Sequence, residues 1–254
     1  MSVKIIDELK MANGYSLFKQ RLMFVLGELS KTIGLTNKMI SYINYEINIL
    51  NYKGCILSNE KTFYRFLAES IGKSGSAKGE QILIDLLNTN LGKENKFAEF
   101  IVFSLGKVGN SLETFKIIAS YLNKRSNNID LGVLWALGKI GSREKENALP
   151  IENIEKIINE IIKAAQNKAY ALSPYNAVYA LAEICDRRNR SNCISEAKGK
   201  EIIEKIEKIH IDGNFVQKDS LNKIKDIAKN LICGSELSQE QSKILLEIRS
   251  KVSA

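Results

Sequence analysis

Three groups of side chains in this sequence are of types that grip charge or bury rings. Arg187, Arg188 and Arg190 fall within four positions of the string Asp186-Arg187-Arg188-Asn189-Arg190-Ser191-Asn192. Guanidinium groups at that density hold phosphates or carboxylates through paired hydrogen bonds; the same string also reads as an ordinary solvated loop between two helices. Lys73, Lys107 and Lys139 each follow the glycine of a recurring motif, so a regular array would set them along one edge as a positive strip. A lysine at a helix C-terminus also offsets the macrodipole by itself, by a few tenths of a kcal/mol. Glu28 and Glu183 hold the equivalent place in other copies and interrupt the strip, which favours the dipole reading. The third group is Phe24, Phe103, Trp135 and Tyr179, three places before the motif's Gly or Ala. Packing between neighbouring helices accounts for rings at such positions; rings left exposed there would instead form a protein-binding stripe.

Other chemistry is sparse. The four cysteines, Cys55, Cys185, Cys193 and Cys233, form no C-x-x-C pair, and His210 is the one histidine. Zinc needs about four clustered Cys or His ligands, so no metal site is expected. One histidine also leaves little room for a nucleophile–base pair. No residue is assigned a catalytic role and no cofactor is expected. Net charge is +8, which favours nucleic acid, anionic membrane surfaces or acidic protein partners through long-range attraction. Abundant Lys and Asn would give the same surplus by composition alone. The opening residues Met1 to Glu8 lack an apolar signal core, and no run of about eighteen apolar residues occurs. The expectation is a cytoplasmic protein that does not insert into a membrane.

The elements that must carry these residues are helices. The sequence has 2 prolines and 16 glycines in 254 residues, leaving long stretches free of helix breakers. Self-similarity is the main signal. Phe103-Ser104-Leu105-Gly106-Lys107-Val108-Gly109 and Trp135-Ala136-Leu137-Gly138-Lys139-Ile140-Gly141 are close copies, and Glu69-Ser70-Ile71-Gly72-Lys73-Ser74-Gly75 is a third. Weaker copies are Val25-Leu26-Gly27-Glu28-Leu29, Ala180-Leu181-Ala182-Glu183-Ile184 and, faintest, Asp226 to Leu231. The Leu or Ile before the Gly/Ala anchors each copy, at positions 26, 71, 105, 137, 181 and 227, giving steps of 45, 34, 32, 44 and 46. Two helices and two short turns need roughly 30 to 45 residues. The small residue before the anchor (Ser70, Ser104, Ala136, Ala180) and the glycine after it both permit close helix approach, and the second glycine suits a left-handed helix stop.

Each copy therefore reads as a first helix running into the anchor and a second helix following it. Units fall at about 1–52, 53–92, 93–125, 126–168, 169–212 and 213–254, in one domain. First helices such as Val133-Leu134-Trp135-Ala136-Leu137 are apolar nearly all round and must be buried or covered on every face. Second helices carry mixed faces with alternating charge, as at Glu152, Glu155, Lys156, Asn159 and Lys163, which any solvated helix also shows.

Ala136-Leu137-Gly138-Lys139-Ile140-Gly141 and its relatives resemble the A-L-G-x-I-G signature of bilin-lyase-type HEAT repeats, strongly over about 62–185 and weakly at both ends. The resemblance implies an all-α, right-handed α-α superhelix, a HEAT-like solenoid of about five to six hairpins whose second helices line the concave side, so that Glu152, Glu155, Lys156, Asn159 and Lys163 would partly face a groove. Where that family often has a Val-Arg pair early in the first helix, this chain has Phe97-Ala98 and Ile129-Asp130, so no role of that arginine carries over. Solenoids present large surfaces and need no catalytic residues, so the expected function is a non-enzymatic scaffold or adaptor for a partner protein. Two alternatives stay open. One is a nucleic-acid binder with a groove similar to that of HEAT-like alkylpurine DNA glycosylases, although those surround the damaged nucleotide with tryptophans and an aspartate and this chain has only Trp135. The other is a bilin-lyase-like protein, supported by repeat similarity alone.

Overall fold

The structure, a computed structural model, describes every residue except 54, 123–128, 142–150, 167–173, 187–193, 211, 213 and 254; at 95, 96, 129–131, 151, 153 and 250–253 it describes the backbone only. Among the described residues the chain is all-α, with thirteen helices and no strand. They are α1 (Ser2–Met11), α2 (Leu17–Ile33), α3 (Asn37–Asn51), α4 (Ser58–Lys73), α5 (Gly79–Asn88), α6 (Asn95–Val108), α7 (Leu112–Ala119), α8 (Ile129–Gly141), α9 (Ile151–Gln166), α10 (Pro174–Ile184), α11 (Glu196–Glu207), α12 (Phe215–Cys233) and α13 (Gln239–Ser253). The chain divides into two compact units, Met1–Asn110 and Ser111–Ala254.

Helix ends follow local chemistry. The Ser16, Ser111 and Ser195 side chains accept from the backbone N–H three residues on and open α2, α7 and α11. Asn214 and Gln217 exchange such bonds at the start of α12, satisfying two amides that have no partner in the first turn. Gly34 and Gly234, at φ 66° and 73°, close α2 and α12, a conformation in which a side chain is strained.

Neighbouring helices pack in sequence order. In the first unit α2 packs on α4 and α4 on α6; α3 and α5 touch each other, and α5 also packs against α4 and α6. In the second unit α8 packs on α10 and α10 on α12, with α9 against α10 and α11 against α12. The seams between these first helices are set by glycine. A Cβ on Gly27 would stand 2.5 Å from Ser70 Oγ, and one on Gly72 would stand 2.9 Å from Ser104 Cβ. Gly138 faces Ala180 at a more relaxed 3.5 Å. At these three seams the glycine of one copy meets the small residue of the next. Leu26, Leu67, Ile71, Ile101 and Leu105 are buried around the first-unit seams, each such side chain contributing about 1.5–3 kcal/mol.

The second glycine behaves differently from expectation. Gly75 takes φ 61°, but Gly109 has φ −62° and ψ 137°, an extended conformation open to any residue. Gly141 lies inside α8, where a Cβ would meet Ile184 Cγ1 at 2.6 Å; contact, and not a left-handed stop, requires glycine there. The all-round apolar helices are buried all round: every residue of Val133 to Leu137 and of Ala177 to Ile184 is buried. No helix among the described residues is long and apolar enough to cross a membrane.

Candidate functional site

The register of the first helices fixes which side chains point outward. In α2, α4 and α6 the places five and two before the anchor and two after it are Arg21, Phe24 and Glu28; Phe66, Glu69 and Lys73; Phe100, Phe103 and Lys107. The structure joins them into one face of the first unit. Phe24, exposed at 44 %, meets Phe66 edge-on at 5.9 Å between ring centroids. Lys73 Nζ lies 4.5 Å from the Phe24 centroid and donates to Glu28 Oε1 at 2.7 Å. Arg65 sits 4.2 Å over the Phe100 ring and donates to Glu69 at 2.8 Å. Lys107 Nζ lies 4.7 Å from the Phe103 centroid. Cations over ring faces of this kind gain about 0.5–2 kcal/mol each, which holds long side chains extended across the rings.

Electrostatics tie the face together. Hydrogen bonds from Lys31 and then Lys73 lower the Glu28 carboxyl from 4.5 to about 2. Lys107 is pushed down, first by burial and then by the nearby charge of Lys73. Lys73 and Lys107 thus feel one another's charge, while Glu28 pairs with Lys73 and Glu69 also acts on Lys107. Lys139 belongs to the other unit. All three lysines stand in the last turn of their helices, where they also complement the macrodipole.

The four-ring stripe divides. Phe24 and Phe103 reach the surface of the first unit, whereas Trp135 and Tyr179 in the second are core residues, 5 % and 3 % exposed. In that unit α13 comes over α10: Arg249 donates to both carboxylate oxygens of the buried Glu183, at 2.7 and 3.0 Å. Burial, and then Glu183, raises the Tyr179 phenol. Arg187, Arg188 and Arg190 lie outside the described residues, and Cys193 with them; Cys185 is buried.

Second helices line two open pockets. Asn159, Ile162, Lys163 and Gln166 of α9 meet Lys205 of α11 and Lys208 just after it around a volume of about 570 Å³; Asn159 and Lys163 are two of the expected groove residues. Lys205 donates to Asn159 at 3.1 Å and to Glu201 at 2.6 Å. In the first unit Asn44, Ile47, Asn48 and Asn51 of α3 and Asp85 and Asn88 of α5 line about 460 Å³. The first pocket, with three lysines and no lining carboxylate, suits an anion; the second, lined mainly by carboxamides, suits a neutral polar group.

One cluster has no counterpart in the sequence reading. Glu46 is 1 % exposed and accepts from Lys19 Nζ at 2.8 Å, Tyr42 Oη at 2.7 Å and Tyr15 Oη at 3.0 Å. Tyr64 Oη lies 2.9 Å from Tyr15 Oη and donates to the Glu46 carbonyl at 3.1 Å. Lys19 and Lys53 stand over the Tyr15 ring, and Lys53 pairs with Glu60. Burial raises all three phenols, so the protonated hydroxyls act as fixed donors. Its only trace in the sequence is spacing: Tyr15/Lys19 and Tyr42/Glu46 are pairs at i, i+4. The described residues bring no three potential metal ligands together. Comparison of the chain with known protein families, with curated proteins and with solved structures gives no match.

Proposed function

We propose that this chain is a HEAT-like α-solenoid that acts as a scaffold, holding a partner protein on the outward face of its first unit without chemistry of its own. The observation that carries this is the face built by Phe24, Phe66, Phe100 and Phe103 with Lys73, Lys107 and Arg65 laid across the rings. Aromatic and arginine side chains held rigid at a surface are the groups that dominate protein interfaces. The surrounding lysines suit a partner segment bearing both apolar and acidic side chains. Support for the repeat reading comes from the glycine seams, at which Gly27, Gly72 and Gly138 each meet the small residue of the next copy. The test is affinity capture with the intact chain and with a Phe24→Ala/Phe103→Ala variant of unchanged helical circular dichroism. A companion held by the first and lost by the second supports the scaffold; companions retained equally by both refute it.

A second reading, nucleic-acid binding, draws on the pocket of Lys163, Lys205 and Lys208. It requires affinity for a duplex or single strand that falls steeply between about 50 and 200 mM salt and weakens in a Lys205→Ala/Lys208→Ala variant. No binding at low salt removes it.

A further inference from the structure

Two rows of short polar side chains, mostly carboxamides, border the groove between α3 and α5. On α3 the row is Asn44, Asn48 and Asn51; on α5 it is Gln81, Asp85 and Asn88. Each row has the spacing i, i+4, i+7, which keeps its members on one helix face, and all six residues are exposed. Among the described residues none of the four asparagines makes a hydrogen bond with the protein. The fold gives no reason for them. Asparagine is a poor residue for a helix interior, because its side chain competes for backbone hydrogen bonds, and Ala, Lys or Glu would favour α3 more. Nor is this an ordinary solvated face. From Ser41 to Tyr52 the exposed residues are Ser41, Asn44, Tyr45, Asn48, Asn51 and Tyr52, with no charge among them. The exposed face of α9, by contrast, carries Glu152, Lys156, Glu160 and Lys163 beside Asn159, the mixed charge that solvated helices show. Abundant asparagine by composition would scatter carboxamides over every helix without stripping the charge from one of them.

The lining restricts the occupant. Asn44, Ile47, Asn48, Asn51, Asp85 and Asn88 include no cation, so the groove does not suit phosphate or another anion. They include no aromatic ring either, so the C–H face of a sugar finds nothing to stack on. Each carboxamide offers a C=O acceptor and an N–H donor in one plane. One residue of an extended chain presents the complementary pair, its own N–H and C=O, along the same edge. Alternate residues of such a chain turn the same edge outward, a repeat of about 6.7 Å; Asn44 and Asn48 are one i, i+4 step apart, about 6 Å along the helix axis. The α3 row spans about 10 Å, the length of about three extended residues. Ile47, 5 % exposed, gives the groove an apolar floor. Asp85 is the one lining charge; Gln81 donates to its Oδ1 at 2.9 Å, which leaves the second oxygen for a basic side chain.

We infer that the groove between α3 and α5 binds the main chain of an extended polypeptide segment. Asn44 and Asn48 pair with one edge of alternate residues, Asn88 with the opposite edge, and Asp85 with a Lys or Arg side chain of the segment. The groove selects an unfolded stretch with a basic residue nearby and reads little of the remaining side chains. It shares no residue with the aromatic face of the first unit, so it is a second site and stands or falls apart from the scaffold reading.

In the test, a display library of random short peptides is first passed over an Asn48→Ala/Asn88→Ala variant and then selected on the intact chain. Both replaced side chains are exposed and make no bond within the fold, and alanine favours the helix, so the variant keeps its helical circular dichroism. Enriched peptides should carry Lys or Arg and lack proline in the bound stretch, where it would remove a donor. A synthetic copy should lose about tenfold or more in affinity on the variant, read by fluorescence anisotropy, and as much when one amide of its bound stretch is N-methylated. Asp85→Asn should abolish the preference for a basic residue. The inference is overturned if no peptide distinguishes the chain from the variant, or if the selected peptides tolerate N-methylation at every position. Asn48-dependent binding of neutral oligosaccharides, with no peptide enriched, assigns the groove to sugar hydroxyls and overturns it as well.

Discussion

Replacing Glu46 by leucine tests most directly what holds the first unit together. The substitution removes a buried acceptor with three donors aimed at it: the Lys19 ammonium at 2.8 Å and the Tyr42 and Tyr15 hydroxyls at 2.7 and 3.0 Å. Removing one partner of a buried ion pair costs about 3–5 kcal/mol, because the other charge stays out of water without compensation. Lys19 keeps some attraction to the Tyr15 and Phe63 rings, 4.7 and 5.1 Å away, which offsets about 1 kcal/mol. Tyr15 keeps Tyr64 as a neighbour, whereas Tyr42 loses its partner at about 1–3 kcal/mol. The net expectation is a loss of about 4 kcal/mol. Lys19→Met alone leaves Glu46 with both phenols donating to it and costs about 3 kcal/mol.

The double variant Lys19→Met/Glu46→Leu has no buried charge, so it loses less than the sum of the two by at least about 2 kcal/mol. Hydrogen exchange of α2 to α4 amides measures this segment by segment, a loss of about 3 kcal/mol accelerating exchange roughly a hundredfold. Trp135, the one tryptophan, lies in the second unit and gives that unit a separate fluorescence readout during urea unfolding. Single variants that lose under about 1 kcal/mol, or a double variant that loses the full sum, would show that the network is satisfied by solvent and that this account of the unit is wrong.

Three further outcomes follow from the same geometry. Gly72→Ala places a methyl 2.9 Å from Ser104 Cβ and lowers stability by about 1–3 kcal/mol, whereas Gly138→Ala meets nothing nearer than 3.5 Å and gains up to about 1 kcal/mol of helix propensity; urea midpoints of the two variants should move in opposite directions. Arg249→Met strips the buried Glu183 of a two-bond partner and should release α13, seen as fast exchange confined to α13 and α10. The Glu28 carboxyl should titrate near 2 by NMR and move up in Lys73→Met. Its folded value lies below its unfolded one, so the stabilisation it lends is present above about pH 4.5 and is lost as the pH falls toward 2.

The helices and their order were legible because periodic apolar residues and a repeated Leu-Gly step state them directly. The aromatic positions were legible as positions, and their fate was not. Phe24 and Tyr179 occupy the same place in the register, and over Tyr179 α13 reaches α10 through Arg249 on Glu183, a contact 66 residues distant in sequence. Lys73 reads as a free cation until Glu28, one copy earlier, is seen at 2.7 Å. The Glu46 network was hidden for a related reason. Tyr15, Lys19, Tyr42 and Tyr64 come from three helices and the turn before them, and in a Lys- and Tyr-bearing helical sequence each reads singly as surface.

The register also separates what the fold requires from what it leaves open. At the place after the anchor and the place before it the seam admits little: Gly27 and Gly72 would clash with any added Cβ, and Ser70 and Ser104 are the residues they would strike. Two places before the anchor no such limit acts, and the chain uses Phe24, Glu69, Phe103, Trp135 and Tyr179 there; two places after it uses Glu28, Lys73, Lys107, Lys139 and Glu183. Outside the seam these rows differ in burial, from Phe24 at 44 % exposed to Trp135 and Tyr179 at 5 % and 3 %. In the second unit one such position is taken by a helix of the chain itself, through Arg249 on Glu183. In the first unit the same rows are ringed and charged at the surface, and on the scaffold proposal a helix or loop of the partner takes there the place that α13 takes over Glu183 in the second.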